Sequence, residues 1–382
     1  MTTTIDNEQK TLNVPNLRFP EFEGEWQENY VNEICNEFKS GKAIKADLIL
    51  DVGTYPVFGG NGLRGYTSTY NHDGLFVLIG RQGALCGNVR SVIGKTYITE
   101  HAIAVNGNNK SDTNFLHYLF LQMDLGRFSD QSAQPGLAVN KLLKLKVITP
   151  RIDEQRKIAN LLRLLDERIA TQNKIIEKLE SLIKGICNNY FLKLSHSQEM
   201  KSIRLGDILK ERNEYCCKDG TFVHGTLSKD GLFPKTERWN RDFLVKEENK
   251  KYKITHLDDI CYNPANLKFG VICRNIYGDL IFSPIYVTFE VSKKVNIGFI
   301  ELYLTNRNFI EKIRKFEQGT VYERMSVSPE DFLSYKIRIP SLSEQTFFYQ
   351  KIQRLKNCSQ NELEHLNLYK KLRQYLLRQM FI

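Results

Sequence analysis

The sequence predicts an α+β fold in which two globular domains are joined by two long helices that form an antiparallel coiled coil, arranged as a pseudo-two-fold repeat. The pattern Pro-x-x-x-Glu-Gln occurs twice, at Pro150–Gln155 and at Pro340–Gln345, with an offset of 190 residues. A long amphipathic stretch follows each copy, and a region rich in strand and turn residues precedes each copy. The predicted order is therefore globular block, helix, globular block, helix.

This repeat sets the predicted domain boundaries. Residues 1–13 are polar and lack an apolar segment, so we expect a flexible tail and not a secretory signal. Residues 14–150 and 201–340 form the two globular domains, where glycines and asparagines punctuate β-branched and aromatic runs. Residues 151–200 and 341–382 form the two helical regions.

The first helical region has a candidate N-cap at Asp153 and an apolar seam that steps alternately by four and three residues. The predicted seam consists of Ile158, Leu162, Leu165, Ile169, Gln172, Ile176, Leu179, Ile183 and Ile186. Gln172 is the polar interruption. The stripe outlasts the typical globular helix of about 11–12 residues, which favours pairing with a second long helix.

The second helical region begins with a capping-box pattern, Ser341-Leu-Ser-Glu344. Its predicted seam is weaker, with polar Ser359 and Glu362 in the middle, and consists of Ile352, Leu355, Leu366, Tyr369, Leu372 and Leu376. If the two helices run antiparallel, they form a spacer of fixed length with one globular domain at each end.

The charge distribution favours a polyanionic partner. The net charge is +10, although residues 1–37 carry −6, and residues 38–150 and 201–340 carry +5 each. Excess lysine and arginine spread over two domains points first to nucleic acid. Charge alone leaves a merely basic soluble protein as the alternative.

Cysteine usage and hydropathy set further expectations. The eight cysteines form no C-x-x-C pair, and no histidine stands at zinc-like spacing from them, so we expect reduced thiols of a cytoplasmic protein and no metal site. No apolar run of 18 residues occurs, so we expect no membrane span.

A G-x-G-x-x-G pattern at Gly60, Gly62 and Gly65 resembles the dinucleotide fingerprint. That fingerprint requires a helix that starts within it and an acidic residue about 20 residues later. Here a turn-rich β-like segment follows, and no carboxylate occurs between Asp73 and Glu100. The glycines are therefore interpreted as tight turns and close backbone approaches.

A second motif, Tyr262–Asn266 (YNPAN), is similar to the Asn-Pro-Pro-aromatic motif of amino-methyltransferases. The second proline and the aromatic residue are missing, and no glycine-rich strand–helix site for a methyl donor is evident. Neither a hydrolase motif nor a Walker loop occurs. We therefore assign no catalytic residue, and binding is the favoured role.

Arginine pairs with guanine edges, and asparagine or glutamine pairs with adenine, so polar loops are the candidate DNA contacts. The candidates are Asn61, Arg64, Tyr66, Arg81, Gln82, Asn88, Arg90, Gln131, Gln134, Lys229, Lys235, Arg238, Asn263, Asn266, Lys268, Arg274, Gln318, Tyr322 and Arg324. Taken singly, each is more often a solvated side chain. As a set, some of them should contact DNA.

Several segments together resemble the specificity subunit of type I restriction–modification systems. They are VPNLRFPEFEGEW (Val14–Trp26), YPVFGGNGLRGY, VLIGRQGALCGNV, ITPRIDEQRKIANLLRLLDERI (Ile148–Ile169), DICYNPANLKFGVI and IRIPSLSEQ. The resemblance covers nearly the whole chain. Its most specific part is the repeated proline–Glu-Gln–helix element.

The resemblance implies that residues 14–150 and 201–340 are target-recognition domains, each reading half of a bipartite asymmetric double-stranded DNA site. It implies that the helical regions are the spacer and that the chain itself is not catalytic. Two methyltransferase subunits and the restriction/translocase subunits would dock on it, and S-adenosylmethionine, ATP and magnesium would bind those partners. The second helical region departs from the family pattern, because Lys-Ile-Ala does not follow its Glu-Gln.

A different class of protein remains open from the residues alone. A structural coiled-coil scaffold with protein-binding globular ends would share the long helices. The two globular blocks are unlike each other, as an asymmetric DNA site requires. A steep salt dependence of duplex binding would separate the DNA reader from the scaffold.

Overall fold

In the computed structural model, two compact units are formed, the first by Met1–Lys174 with Leu363–Ile382 and the second by Ile175–Glu362. The residues described are 12–130, 135–198, 200–217, 221–235, 251–317 and 326–382. Both long helices cross the boundary between the units. The predicted tail lies outside the described residues except for its last two positions, and the predicted domain boundaries stay predictions.

The first unit contains nine strands and three short helices among its described residues. In chain order up to the first long helix, the elements are β1 (Gln27–Tyr30), α1 (Val31–Ile34), β2 (Cys35–Ser40), β3 (Tyr55–Gly59), β4 (Gly62–Thr67), β5 (Leu75–Gly80), β6 (Val89–Ile93), β7 (Tyr97–Ile98), β8 (Ala102–Gly107), α2 (Thr113–Gln122), α3 (Val139–Leu142), β9 (Lys146–Thr149) and α4 (Ile152–His196). Strands β1 and β9 pair antiparallel. The other strands form sheets in the orders β2-β8-β5-β6 and β4-β3-β7.

The second unit repeats this topology and adds two strands to one of its sheets. Its elements are β10 (Lys201–Arg204), β11 (Leu209–Glu211), β12 (Tyr215–Cys216), β13 (Val223–Ser228), β14 (Gly231–Pro234), β15 (Tyr252–Thr255), β16 (Ile260–Tyr262), β17 (Ile272–Arg274), β18 (Leu280–Phe282), β19 (Val287–Val291), α5 (Ile297–Leu304), α6 (Arg307–Ile313), α7 (Pro329–Ser334), β20 (Lys336–Ile339) and α8 (Leu342–Gln379). Its first and last strands, β10 and β20, pair antiparallel. The sheets run β11-β19-β16-β17 and β12-β15-β18-β13-β14. The predicted repeat is thus confirmed as a repeat of strand order.

The central sheet of the first unit is apolar on both faces, which explains the continuous apolar run of β5. Val77 and Ile79 pack on one side with Phe115 of α2. Phe76 and Leu78 pack on the other side, in the smaller core that Phe58 of β3 also joins. A strand that is covered on both faces has no reason to alternate polar and apolar residues. This packing holds the β3–β4 hairpin against the central sheet.

All nine residues of the predicted α4 seam are buried or half-buried, as a seam requires. In α8 the prediction of Leu372 is wrong, since this side chain is 45% exposed. The heptad continues from Tyr369 to Arg373, which forms an ion pair with Asp166 of α4. A seam position filled by a long charged residue with a partner across the helices escapes a search for apolar residues.

The portions of α4 and α8 in the first unit run antiparallel. Asp166 pairs with Arg373, and two residues later Arg168 donates to the Tyr369 hydroxyl at 3.4 Å, so the numbering rises on α4 as it falls on α8. In the second unit, Tyr190 of α4 stacks on Phe348 of α8 with ring centroids 3.8 Å apart. Each unit therefore has its own helix-pair contacts.

The two long helices start differently. The capping box of α8 is confirmed, because the Ser341 N–H donates to Glu344 Oε2 at 3.0 Å and the Ser341 hydroxyl accepts from the Glu344 N–H at 3.4 Å. The predicted cap at Asp153 is wrong. The Gln155 N–H donates to the Arg151 carbonyl at 3.0 Å, so helical bonding begins before Asp153. Asp153 lies in the first turn, where its charge complements the helix dipole.

The glutamine of each Glu-Gln pair joins its helix to a helix of the neighbouring globular part. Gln155 is fully buried, donates to the Pro150 carbonyl at 2.8 Å and accepts from the Asp112 N–H at 2.9 Å. Gln345 likewise donates to Pro340 at 2.9 Å and accepts from the Asn296 N–H at 3.0 Å. The residues that supply these N–H groups are the N-caps of α2 and α5. The repeated motif therefore fixes each long helix to a globular part through the hydrogen bonds of a buried glutamine side chain.

The glutamate of the first pair has a different set of partners. Glu154 is 1% exposed and forms a bidentate pair with Arg18, with both N–O distances 2.8 Å. The Trp26 indole N–H also donates to it at 3.2 Å. The N-terminal stretch Val14–Trp26 is thereby held against the start of α4.

Candidate nucleic-acid interface

The glycine pattern lies in the β3–β4 hairpin. Gly60 and Asn61 form the turn, and Gly62 begins β4 with a φ of +106°, which favours glycine. The chain continues along β4, which pairs antiparallel with β3, and no helix starts within the pattern. The interpretation of these glycines as turn and close-approach residues is confirmed.

Five of the predicted contact residues come together around this hairpin, and we call this set the basic hairpin surface. Its members are Asn61, Arg64, Arg81, Gln82 and Arg90. Two close distances place the arginines of β4 and β6 beside the hairpin glycines. A Cβ added at Gly62 would lie 3.0 Å from Arg90 Nη1, and one added at Gly59 would lie 2.8 Å from Arg64 Cδ.

The end of β5 completes this surface. The Arg81 N–H donates to the His101 carbonyl at 2.9 Å, and a Cβ added at Gly60 would lie 2.6 Å from the same oxygen. Gln82 Oε1 is 2.9 Å from His101 Nδ1. His101 is a member of the surface that the sequence prediction missed, because a lone histidine before a buried strand carries no pattern. Tyr66 and Asn88 are half-buried at its edge.

The three arginines of the basic hairpin surface differ from Arg18, Arg212 and Arg274 in their ion pairing. Arg18, Arg212 and Arg274 each form an ion pair with a carboxylate. Within the described ranges, no ion pair involves Arg64, Arg81 or Arg90. Their charge is available to an anionic ligand, which suits phosphates and guanine edges.

The equivalent hairpin in the second unit, β13–β14, presents different side chains. Its turn is Lys229-Asp230, and Gly231 follows with a φ of +122°. Lys229 and Lys235 are exposed, as a contact with DNA requires. Phe233 is 45% exposed two residues after the glycine, where Arg64 stands in the first hairpin. The same hairpin position is thus cationic in one unit and aromatic in the other.

Two predicted contacts of the second unit do not fit the structure. Asn263 is buried, and its side chain accepts from the Ala265 N–H at 3.1 Å as the cap of the 3-10 helix Pro264–Phe269. Arg274 is engaged with Asp258, with Nε 2.7 Å from the carboxylate. Both groups are used inside the fold, which a single sequence does not reveal. Asn266 and Lys268 lie on the same 3-10 helix and remain candidates.

The YNPAN motif has a structural role. Tyr262 is fully buried, stacks on Phe289 and Phe332, and donates to the Val327 carbonyl at 3.1 Å. Burial raises the pKa of its hydroxyl. The remaining predicted contacts lie outside the described residues: Gln131, Gln134, Arg238, Gln318, Tyr322 and Arg324.

A histidine network borders the second hairpin sheet. His256 Nδ1 is 2.8 Å from Asp279, and its Nε2 is 3.1 Å from Glu214, which also contacts Arg212. Burial lowers the pKa of His256, but hydrogen bonds and charge from Asp279 and Glu214 outweigh it, so the net shift is upward. The protonated ring therefore stabilises the folded unit.

We expect this contribution to stability to be fully present below pH about 6.5, the ordinary pKa of histidine. It should be lost as pH rises through the higher pKa of the folded state. NMR titration of His256, assigned with a His256→Gln variant, should give a pKa above 6.5, and Asp279→Asn should lower it. A pKa at or below 6.5 would contradict this assignment.

Known proteins resemble the chain in this region and beyond. Residues 23–181 match the family model of the type I restriction modification DNA specificity domain. Over 175 residues the chain is 42% identical to the type I restriction enzyme EcoprrI specificity subunit of Escherichia coli, a match that covers 45% of this chain and 42% of that subunit. It is 26% identical over 341 residues, 85% of each chain, to S.HindORF215P of Haemophilus influenzae, a proposed type I specificity subunit.

The chain is thus similar to type I restriction–modification specificity subunits. A solved S subunit of a type I restriction–modification system from M. genitalium has the same fold, with a TM-score of 0.65 and 18% identity over 97% of this chain and 99% of that chain. The similarity to the EcoprrI subunit spans less than half of that relative's length.

Among the helices in the described part of the chain, none is both long and apolar enough to cross a membrane. Within the same residues, no cluster of three or more His, Cys, Asp or Glu side chains is arranged to hold a metal ion.

Proposed function

We propose that this chain is a type I specificity subunit that reads a bipartite, asymmetric DNA target with its two globular domains, and that the paired helices act as a spacer that sets the gap between half-sites. The observation that carries the proposal is the pair of equivalent hairpins with unlike side chains. Arg64 and its neighbours suit guanine and phosphate, whereas Phe233 with Lys229 and Lys235 suits an apolar base edge flanked by phosphates. Equivalent hairpins with unlike chemistry support two unlike half-sites.

The long helices support the spacer role. Helix α4 has 45 residues and α8 has 38. At 1.5 Å per residue, α4 is about 68 Å long. A continuous helix is stiff. The buried Gln155 fixes the start of α4 to a globular part of the first unit, and Gln345 does the same for α8 in the second unit.

The similarity to type I specificity subunits supports a subunit that is not itself an enzyme. We propose that methyltransferase subunits, two by the resemblance, dock on it with the restriction/translocase subunits. S-adenosylmethionine and ATP with magnesium would bind those partners. The assembly would act in cytoplasmic defence against foreign DNA.

Mapping methylated adenines across the genome of cells that carry this chain with its methyltransferase tests the proposal. We expect one bipartite motif with two different half-sites and a fixed gap. A continuous motif or a palindrome would contradict it.

Salt dependence separates the DNA reader from a protein-binding scaffold. With the methyltransferase subunits bound, affinity for the target should fall by about 10³–10⁵-fold between 50 and 200 mM salt if 6–10 phosphates are contacted. A flat salt response with no duplex binding would favour the scaffold.

Arg81→Ala should change recognition in one half-site only. Loss of a bidentate contact to guanine costs about 1–3 kcal/mol, so we expect about 5–150-fold weaker binding with relaxed preference at one position. Arg156→Ala, which removes an exposed arginine of α4 outside the basic hairpin surface, is the matched control. Equal relaxation in both half-sites would identify Arg81 as a general phosphate contact or a fold residue.

A further inference from the structure

A groove of about 730 Å³ opens in the second unit at the start of α8, beside the paired strands β10 and β20. Lys201, Asp207, Lys294, Leu342 and Glu344 are among the residues that line it. None of the residues that line this groove is a predicted DNA contact or a predicted seam residue.

The equivalent place in the first unit is filled by the chain itself. There the segment Val14–Trp26 lies against the start of α4, where Arg18 and Trp26 bond to Glu154. The Leu17 N–H donates to the Gln379 carbonyl at 2.8 Å, and Phe19 packs on the core of the unit. The first unit thus shows how an extended segment with one arginine occupies this surface.

In the second unit, the connection that precedes β10 is too short to form such a segment. Helix α4 ends at His196 and β10 begins at Lys201, so only four residues connect them. Met200 stands directly before β10, in the place that Trp26 has before β1. Between α4 and β10, therefore, the second unit has no counterpart of the segment Val14–Trp26.

The segment covers the carboxylate of Glu154 in the first unit, whereas the corresponding carboxylate in the second unit is exposed. Glu344 corresponds to Glu154 but is exposed, and the hydrogen bonds from Ser341 hold its pKa below the usual value. Within the described part of the chain, no cation pairs with Glu344. Leu342 is 48% exposed at the groove, and Phe347, five residues further along α8 and outside the groove lining, is 60% exposed. A carboxylate and apolar side chains therefore remain to be covered.

The charges of the groove complement a segment of the same kind as Val14–Trp26. Asp207 and Glu344 suit an arginine, and Lys201 and Lys294 suit acidic residues. In Val14–Trp26, one arginine is followed by three glutamates within seven residues. Lys157 shows how such an acid is used, since it forms an ion pair with Glu21 of that segment.

We propose that this groove is the docking site for an extended segment of a partner protein that carries an arginine flanked by apolar residues, with the arginine bound to Glu344. Arginine–carboxylate pairs are frequently bidentate, and this fixed geometry gives such a site its specificity. The groove and the hairpins consist of different residues, so this proposal can be tested independently of DNA recognition.

The probe for this proposal is a fluorescein-labelled peptide with the sequence of Val14–Trp26, titrated into the intact chain and followed by polarisation. We expect saturable binding that weakens about tenfold or more when the peptide carries Arg18→Ala. The chain variant Glu344→Gln should cause a similar loss, and glutamine keeps the capping box, so α8 should start normally. Ser202→Trp, a change at an exposed groove residue, should block binding sterically.

The peptide could instead bind to the first unit by displacing the chain's own segment Val14–Trp26 from Glu154. The variant Glu154→Gln separates this alternative from binding in the groove. Binding should be unchanged in this variant, and circular dichroism should show that all variants are folded. The proposal is overturned if the intact chain shows no saturable binding up to about 1 mM peptide. It is equally overturned if binding depends on Glu154 and is indifferent to Glu344→Gln and Ser202→Trp.

Discussion

Arg18→Ala should destabilise the first unit by about 3–5 kcal/mol, because removing one partner of a buried ion pair leaves an uncompensated charge. Glu154 is 1% exposed, and Arg18 supplies both of its 2.8 Å ion-pair bonds. Arg18 also donates to the Gly24 carbonyl at 2.6 Å, so the substitution releases the turn that leads to Trp26. The Trp26 indole alone cannot neutralise the carboxylate.

Trp26 itself is the probe for this effect. The chain has two tryptophans, so a Trp239→Phe background leaves Trp26 as the only one. Urea unfolding followed by its fluorescence should show a lower midpoint for Arg18→Ala. Adding Glu154→Gln should restore part of the loss, since it removes the stranded charge. An unchanged midpoint would show that water reaches Glu154 and that the pair contributes little.

The long helices were predictable because their pattern is local. The seam residues of α4 recur at heptad spacing, and each is at least half-buried. Arg373 was not predictable, because its place in the seam of α8 depends on Asp166 on another helix. A charged seam residue becomes recognisable only when its partner is known.

The candidate interface was predictable in part, for a related reason. The glycines around Asn61 indicate a turn, and turns expose polar side chains, so Asn61 and the nearby Arg64 could be proposed from residue types alone. Asn263 and Arg274 have the same residue types but are used by a helix cap and by Asp258. Competition for a side chain inside the fold is invisible in a single sequence.

The Glu-Gln repeat was recognised from the sequence, but its role required the structure. Gln155 and Gln345 bond to the backbone N–H groups of Asp112 and Asn296, which are more than 40 residues away in the chain. Sequence spacing predicts the start of a helix well. It does not predict which distant backbone group a buried amide finds.

Lengthening both long helices by seven residues should widen the gap between half-sites by about three base pairs and leave the half-sites unchanged. Seven residues add about 10.5 Å of helix, and each base pair adds about 3.4 Å of DNA. Insertions after Gln172 in α4 and after Leu366 in α8, both buried seam positions, keep the heptad register on each helix. A seven-residue insertion is one full heptad, so it preserves the seam facing its partner.

The gap is read by mapping methylated adenines in cells that carry each variant with the methyltransferase subunits. In the matched control, seven residues next to each insertion point are replaced without changing the length of either helix. This control should keep the original gap between half-sites. A four-residue insertion breaks the heptad, turns the seam away from its partner helix and should reduce methylation. Altered bases within either half-site would contradict the spacer role, because only the length between the reading surfaces has been changed.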